Sequence, residues 1–154
     1  MPIGNDTFVT RSRLPHLAKP GKTYYVTFCT QNRKILPPTV RDLTLAICIQ
    51  FHESWCWIDV VVVMPDHVHV QFTPYDHSTA KEVMWRFKGR SSREINLLLG
   101  RAGRFWQRES FDHILRSDED RFKKAEYIAN NPVRAGLVSR REDYPWLWMP
   151  ETAR

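Results

Sequence analysis

The stretch Trp57-Ile58-Asp59-Val60-Val61-Val62-Val63-Met64-Pro65-Asp66-His67-Val68-His69-Val70-Gln71-Phe72-Thr73 decides the fold. Trp57 to Met64 is almost wholly apolar, interrupted at Asp59, and has the length of a central strand. Pro65-Asp66 is a tight-turn pair, so His67 to Thr73 reads as the second arm of a β-hairpin. Successive side chains on a strand point to opposite faces. Val68, Val70 and Phe72 therefore face covering helices, and His67, His69 and Gln71 face the other way.

Outward from this hairpin, Lys22 to Thr30 is rich in β-branched and aromatic residues and predicts another strand. Pro37 to Trp55 has apolar residues at helical spacing (Leu43, Ile47, Phe51) after a Pro-Pro pair. Ser78 to Leu99 predicts a long helix with Val83, Phe87, Ile95, Leu98 and Leu99 toward the core. Gly89 weakens its middle and Gly100 and Gly103 end it. Arg104 to Leu115 predicts a short strand or loop. Ser117 to Asp120 resembles a capping box opening a further helix. That helix should stop near Asn131, because Pro132 disfavours helical geometry in the residue before it. The aromatic tail Tyr144 to Trp148 predicts an irregular segment. Residues 1–21 read as an extended basic arm ending at Pro20-Gly21, and 22–154 as one domain. Strands joined by a tight turn and interleaved with helices point to an α+β fold, an antiparallel sheet covered mainly on one face.

The chain has 154 residues and a formal net charge of +6, with an isoelectric point of about 9.5. Such an excess of Lys and Arg favours a polyanionic partner, most simply nucleic acid. Cys29, Cys48 and Cys56 form no C-x-x-C pair, which excludes zinc-finger spacing and fits reduced thiols. No apolar run has the length of a membrane span, and the first residues lack an apolar signal core. These features predict a soluble cytoplasmic protein with no membrane partner.

Two features carry candidate chemistry. His67 and His69, two apart on one strand, can reach one divalent ion together, although a polar strand face can also carry two histidines. In the helix Glu119–Asn131, Phe122, Ala125 and Ala129 form the apolar stripe, with Ile128 at its edge. Tyr127 and Asn131, at i and i+4, share the opposite side, between Lys123 and Lys124. A tyrosine that merely filled the core would sit on the stripe. Tyr127 reads either as a half-exposed surface residue or as a phenol presented beside an amide oxygen able to ligate metal.

Met64-Pro65-Asp66-His67-Val68-His69-Val70 resembles the His-hydrophobic-His (HUH) motif of single-tyrosine transposases. Phe105-Trp106-Gln107, Phe111 to Arg116 and Tyr127 to Val138 follow in order. The set, spanning Tyr24 to Trp148, resembles the REP-associated branch of the IS200-like transposase superfamily, bacterial proteins linked to repetitive extragenic palindromes. The resemblance implies a ferredoxin-like or RRM-like sheet, Tyr127 as nucleophile, and His67, His69 and Asn131 as ligands of Mg²⁺ or Mn²⁺. Insertion-sequence relatives carry Gln where this chain has the shorter Asn131. It also implies single-stranded DNA with hairpin repeats as partner, a nucleoid-associated location, and action as a monomer or homodimer.

Binding a single strand needs basic grooves and stacking surfaces. Candidate DNA contacts are Arg86, Lys88, Arg90 and Arg93 on the long helix, Arg104 and Arg108 after it, and Lys123 and Lys124 beside the tyrosine. Trp85, Trp106, Trp146 and Trp148 are assigned to the core in preference to base stacking. The competing readings are a non-catalytic RRM-like nucleic-acid-binding module and a metal-dependent hydrolase that uses water in place of tyrosine.

Overall fold

The structure, a computed structural model, describes residues 7–10, 21–116 and 118–151. Six strands form one antiparallel sheet in the order β1-β5-β2-β4-β3-β6. They are β1 (Thr7–Thr10), β2 (Tyr24–Thr30), β3 (Cys56–Val63), β4 (His67–Pro74), β5 (Trp106–Ile114) and β6 (Leu147–Trp148). The helices are α1 (Pro38–Gln50), α2 (Ala80–Leu99), α3 (Asp118–Ala129) and the single turn α4 (Asn131–Arg134).

The hairpin forms as its sequence predicts. The Met64 amide donates to the His67 carbonyl at 2.8 Å, and Val63 pairs with Val68. Val68, Val70 and Phe72 of β4 join Tyr24, Val26 and Phe28 of β2 in a core that also takes in Val83, Phe87 and Ile95 of α2. The register shifts between Ile58 and Val60. That bulge turns both Asp59 and Val60 away from this core. Val60, Val62 and Met64 instead pack with Ala125, Ile128 and Ala129 of α3. The two long helices thus share one face, and α3 covers part of the face expected to be open. β3 is sandwiched, which is why its apolar run is nearly unbroken.

Asp59 breaks that run for a reason. It is 3% exposed and takes two guanidinium bonds from Arg121 of α3, at 2.7 and 2.9 Å. The fully buried Gln71 amide donates to Asp59 at 3.0 Å and to the Arg121 carbonyl at 2.9 Å. A buried carboxylate is tolerated only when paired and hydrogen-bonded, and these pairs dock the first turns of α3 on the sheet.

Several expectations change. The Arg104–Leu115 segment is a nine-residue interior strand, β5, between β1 and β2. The tail contributes β6, and the segment read as an arm contributes β1, paired with β5. Leu98 and Leu99 are 55% and 44% exposed, because α2 outruns the sheet beneath it. Phe122 is also exposed, since the α3 stripe meets β3 only from Ala125 onward. α2 starts at Ala80 in place of Ser78; Thr79 caps it by accepting from the Glu82 amide, and Gly100 ends it at φ 64°. The Ser117 cap predicted for α3 lies outside the described residues.

Candidate active site

His67 opens β4 and His69 follows on the same face, as alternation requires. Their Nε2 atoms lie 3.1 Å apart. Each remaining ring nitrogen is held. His67 Nδ1 donates to Asp66 Oδ1 at 2.7 Å, and Asp66 Oδ2 accepts from Arg33 Nε at 2.8 Å. His69 Nδ1 lies 2.8 Å from the Tyr25 hydroxyl and 2.9 Å from that of Thr27, both on neighbouring β2. The Asp66 carboxylate only accepts, so it holds the His67 proton at Nδ1 and turns the Nε2 lone pair outward, while the two hydroxyls orient the His69 ring with its Nε2 toward that of His67.

Electrostatics reinforce this. Burial first, then electrostatic repulsion from the neighbouring His67, Lys124 and Arg134 side chains, pushes His69 down to about 3. His69 is therefore neutral across the physiological range, as a metal ligand must be. Burial pushes the Tyr25 hydroxyl up, so it stays a neutral hydrogen-bonding partner.

Tyr127 is 38% exposed and projects from α3 on the same side of the sheet. The Arg134 guanidinium carbon stacks 3.7 Å from its ring centre. On its other neighbour, Lys124 Nζ lies 5.1 Å from the Tyr127 ring and 4.4 Å from the Tyr25 ring. Lys124 is only 8% exposed, and burial lowers its ammonium below the usual lysine range.

The chain departs from a continuous helix here. α3 stops at Ala129, Asn130 adopts φ −88° and ψ 1°, and Asn131 begins α4. Tyr127 and Asn131 are therefore not joined by one uninterrupted helical face. Arg134 links them, stacking on the phenol while donating to Asn131 Oδ1. Asn131 Nδ2 is buried with no hydrogen-bond partner among the described residues. Buried polar atoms almost always have a partner, so this donor marks a place for an acceptor that the described residues do not supply.

The donor set fits a divalent ion. Two nitrogens about 2.1 Å from one ion and at a right angle to it stand about 3.0 Å apart, close to the His67–His69 separation. Among the described residues no group of three His, Cys, Asp or Glu could complete such a site. The Asn131 amide oxygen has the chemistry of a further ligand.

The chain that carries these histidines and this tyrosine matches a family model. Residues 20–131 match that of "Transposase IS200 like" proteins. The chain belongs to the IS200-like transposase family. Two curated relatives are named as REP-associated tyrosine transposases. One, from Haemophilus influenzae, is 28% identical over 97 residues, which are 56% of this chain and 54% of that protein. The other, from Escherichia coli K12, is 26% identical over 128 residues, 82% of this chain and 75% of that one. A solved structure of a REP-associated tyrosine transposase bound to a REP hairpin superposes with a TM-score of 0.69 at 22% identity, covering 84% of this chain and 78% of that chain. It shows that this IS200-like chain shares the fold.

Of the basic residues singled out as DNA contacts, Lys124 lies at the tyrosine and Lys123 is exposed beside it on α3. Arg104 and Arg108 are exposed and line a groove between α2 and β5. Lys88 turns inward, donating to the Gln107 carbonyl at 2.7 Å, so its charge serves the α2–β5 junction. Arg86 stacks 3.7 Å from the Trp55 ring, Arg90 faces Glu94 at 4.0 Å, and Arg93 is exposed. Trp106 is 2% exposed as expected for the core, but Trp85 is 72% exposed.

Sequence reasoning did not single out Arg134, Asp66, Arg33, Tyr25 or Thr27. Three of them had a local signal. Tyr25 and Thr27 alternate on a strand, and Asp66 directly precedes the first histidine. Which strand would lie beside the histidines was not readable.

Proposed function

We propose that this IS200-like protein is a metal-dependent single-stranded-DNA endonuclease and strand transferase acting at hairpin repeats through Tyr127. The observation that carries this reading is the convergence of two histidine Nε2 atoms with a phenol, an amide and two cations on one sheet face. The names of the curated relatives and the hairpin in the solved neighbour supply the substrate class.

His67 and His69, with Asn131, would hold a divalent ion, Mg²⁺ or Mn²⁺. When bound, it polarises the scissile phosphate and offsets its charge. Lys124 and Arg134 add positive charge beside the nucleophile, which favours the approach of an anionic phosphodiester. Tyr127 Oη attacks phosphorus and a Tyr127–phosphate bond forms at the 5′ side. The P–O3′ bond breaks, and the leaving oxygen departs as a 3′-hydroxyl after taking up a proton. The phenol proton passes to solvent. A phosphotyrosine keeps the energy of the broken bond, so a later 3′-hydroxyl reverses the step and joins strands without ATP. Arg134 keeps the phenol beside Asn131, and Asp66, Tyr25 and Thr27 keep the imidazoles oriented.

The test incubates purified protein and Mn²⁺ with labelled hairpin oligonucleotides from palindromic repeats near its own gene. An adduct that survives denaturation, requires metal, and disappears in Tyr127→Phe and His67→Ala supports the reading. Cleavage without an adduct, retained by Tyr127→Phe, would replace it with a water-using nuclease. Tight binding without cleavage would replace it with a binding module.

A further inference from the structure

The groove between α2 and the start of β5 lies on the face of the sheet away from Tyr127. It has a volume of about 640 Å³, within the range of small-ligand sites. Its apolar floor includes Met84, Phe105 and Trp106, and Lys81, Arg104 and Arg108 surround it. Among the described residues Glu82 is its single acidic lining residue. The indole of Trp85 stands over it, 72% exposed.

Gly89 is a second, independent observation. It lines the groove one helical turn after Trp85, and a β-carbon built there meets nothing within 4 Å. Packing therefore gives no reason for glycine in the interior of a twenty-residue helix, where it is unfavourable relative to alanine. An open space beside an exposed indole, ringed by cations, is a reason.

We infer that this groove binds an unpaired DNA segment, with a nucleobase stacked on Trp85 above Gly89 and phosphates at Arg104, Arg108 and Lys81. A stacked base must be unpaired to offer its face, and base–aromatic stacking is the usual device for sequence-tolerant single-strand binding. The location suits a strand continuing to the active site. Trp106 of β5 pairs with Thr30 of β2, and the adjacent Cys29 pairs with His67 of β4. The groove and the histidine pair therefore meet the same end of the sheet, two strand spacings or about 10 Å apart. A strand leaving the groove crosses the ends of β5 and β2 to reach His67. This inference rests on the proposed function for its choice of DNA as ligand.

The test is fluorescence anisotropy with a labelled hairpin carrying an unpaired flank, in EDTA so that no cleavage occurs. Trp85→Ala should weaken binding roughly tenfold. Gly89→Met should weaken it as much while raising the melting temperature, because methionine favours helix but fills the groove. Arg104→Gln with Arg108→Gln should reduce the slope of log affinity against log salt by about 1.4. A hairpin lacking the flank should bind more weakly and be indifferent to Trp85→Ala. Unchanged affinity and salt slope across these variants would overturn the inference, as would equal losses for flanked and unflanked hairpins. Loss of self-association in place of DNA affinity, read by sedimentation, would reassign the groove to a second copy of the chain. Adduct formation is measured separately, so a dead tyrosine with an intact Trp85 effect sinks the nuclease reading alone.

Discussion

The guanidinium carbon of Arg134 lies 3.7 Å from the centre of the Tyr127 ring, and the same side chain donates to Asn131 Oδ1. One cation thereby ties the proposed nucleophile to the proposed third metal ligand across the break between α3 and α4. Removing it in Arg134→Ala should cut the rate of adduct formation roughly a hundredfold, as loss of a positioned charge at a reacting phosphate does. The melting temperature should move little, because Arg134 is exposed. Arg134→Lys should recover only part of the rate, since lysine keeps the charge and loses the planar stack. Single-turnover gels check this, and an unchanged rate in Arg134→Ala would remove Arg134 from the site.

The Asp66–His67 bond of 2.7 Å makes a different prediction. A carboxylate at Nδ1 orients the imidazole and raises its basicity. Asp66→Ala should weaken Mn²⁺ binding about tenfold to a hundredfold in a calorimetric titration. His67→Ala should abolish it. Equal Mn²⁺ affinity in Asp66→Ala and the parent chain would show that His67 is held by packing alone.

Asp59 concerns how α3 is held. Asp59→Ala removes one acceptor from the buried Gln71 amide and the carboxylate that faces Arg121, so it should cost about 1–3 kcal/mol in urea denaturation. Activity at low temperature should fall as well, because the first turns of α3 no longer fix the helix that presents Tyr127. A cost within error would mean that the α3 stripe alone docks the helix.

Asp112 gives a pH dependence. It is 1% exposed on β5, and burial pushes its carboxyl up to about 8, with the Lys88 charge opposing. In the unfolded chain the carboxyl ionises near its ordinary value of about 4. Between those values the native state holds the extra proton, so stability falls as pH rises from about 4 to 8. The contribution changes by about 1.4 kcal/mol per pH unit. Asp112→Asn should flatten that slope, as measured by denaturation at pH 5, 6, 7 and 8. A slope identical to that of the parent chain would show that the carboxyl is ionised throughout.

Much of the site was readable in the residues because its signals are local. Strand alternation puts His67 and His69 on one face whatever lies around them. Helical arithmetic turns Tyr127 away from Ala125 and Ala129 without reference to any other element. Gly100 ends α2 and Pro132 stands in the first turn of α4 through backbone preferences of their own. These properties belong to a few consecutive residues, so the sequence determines them alone.

Tertiary structure decided the remainder, because the remaining partners are distant in the chain. Tyr25 and Thr27 reach His69 only because β2 pairs with β4. The bulge at Asp59 aims Val60 at α3 and lets one strand serve two cores, a change of face that a periodic reading cannot foresee. Arg134 returns to Tyr127 because the chain turns at Asn130, where uninterrupted helix was the simpler expectation. Trp85, assigned to the core for its bulk, is exposed because helix packing leaves its side of α2 uncovered. Local chemistry chose the histidines and the tyrosine; strand order and helix docking chose which charges, hydroxyls and carboxylates stand beside them.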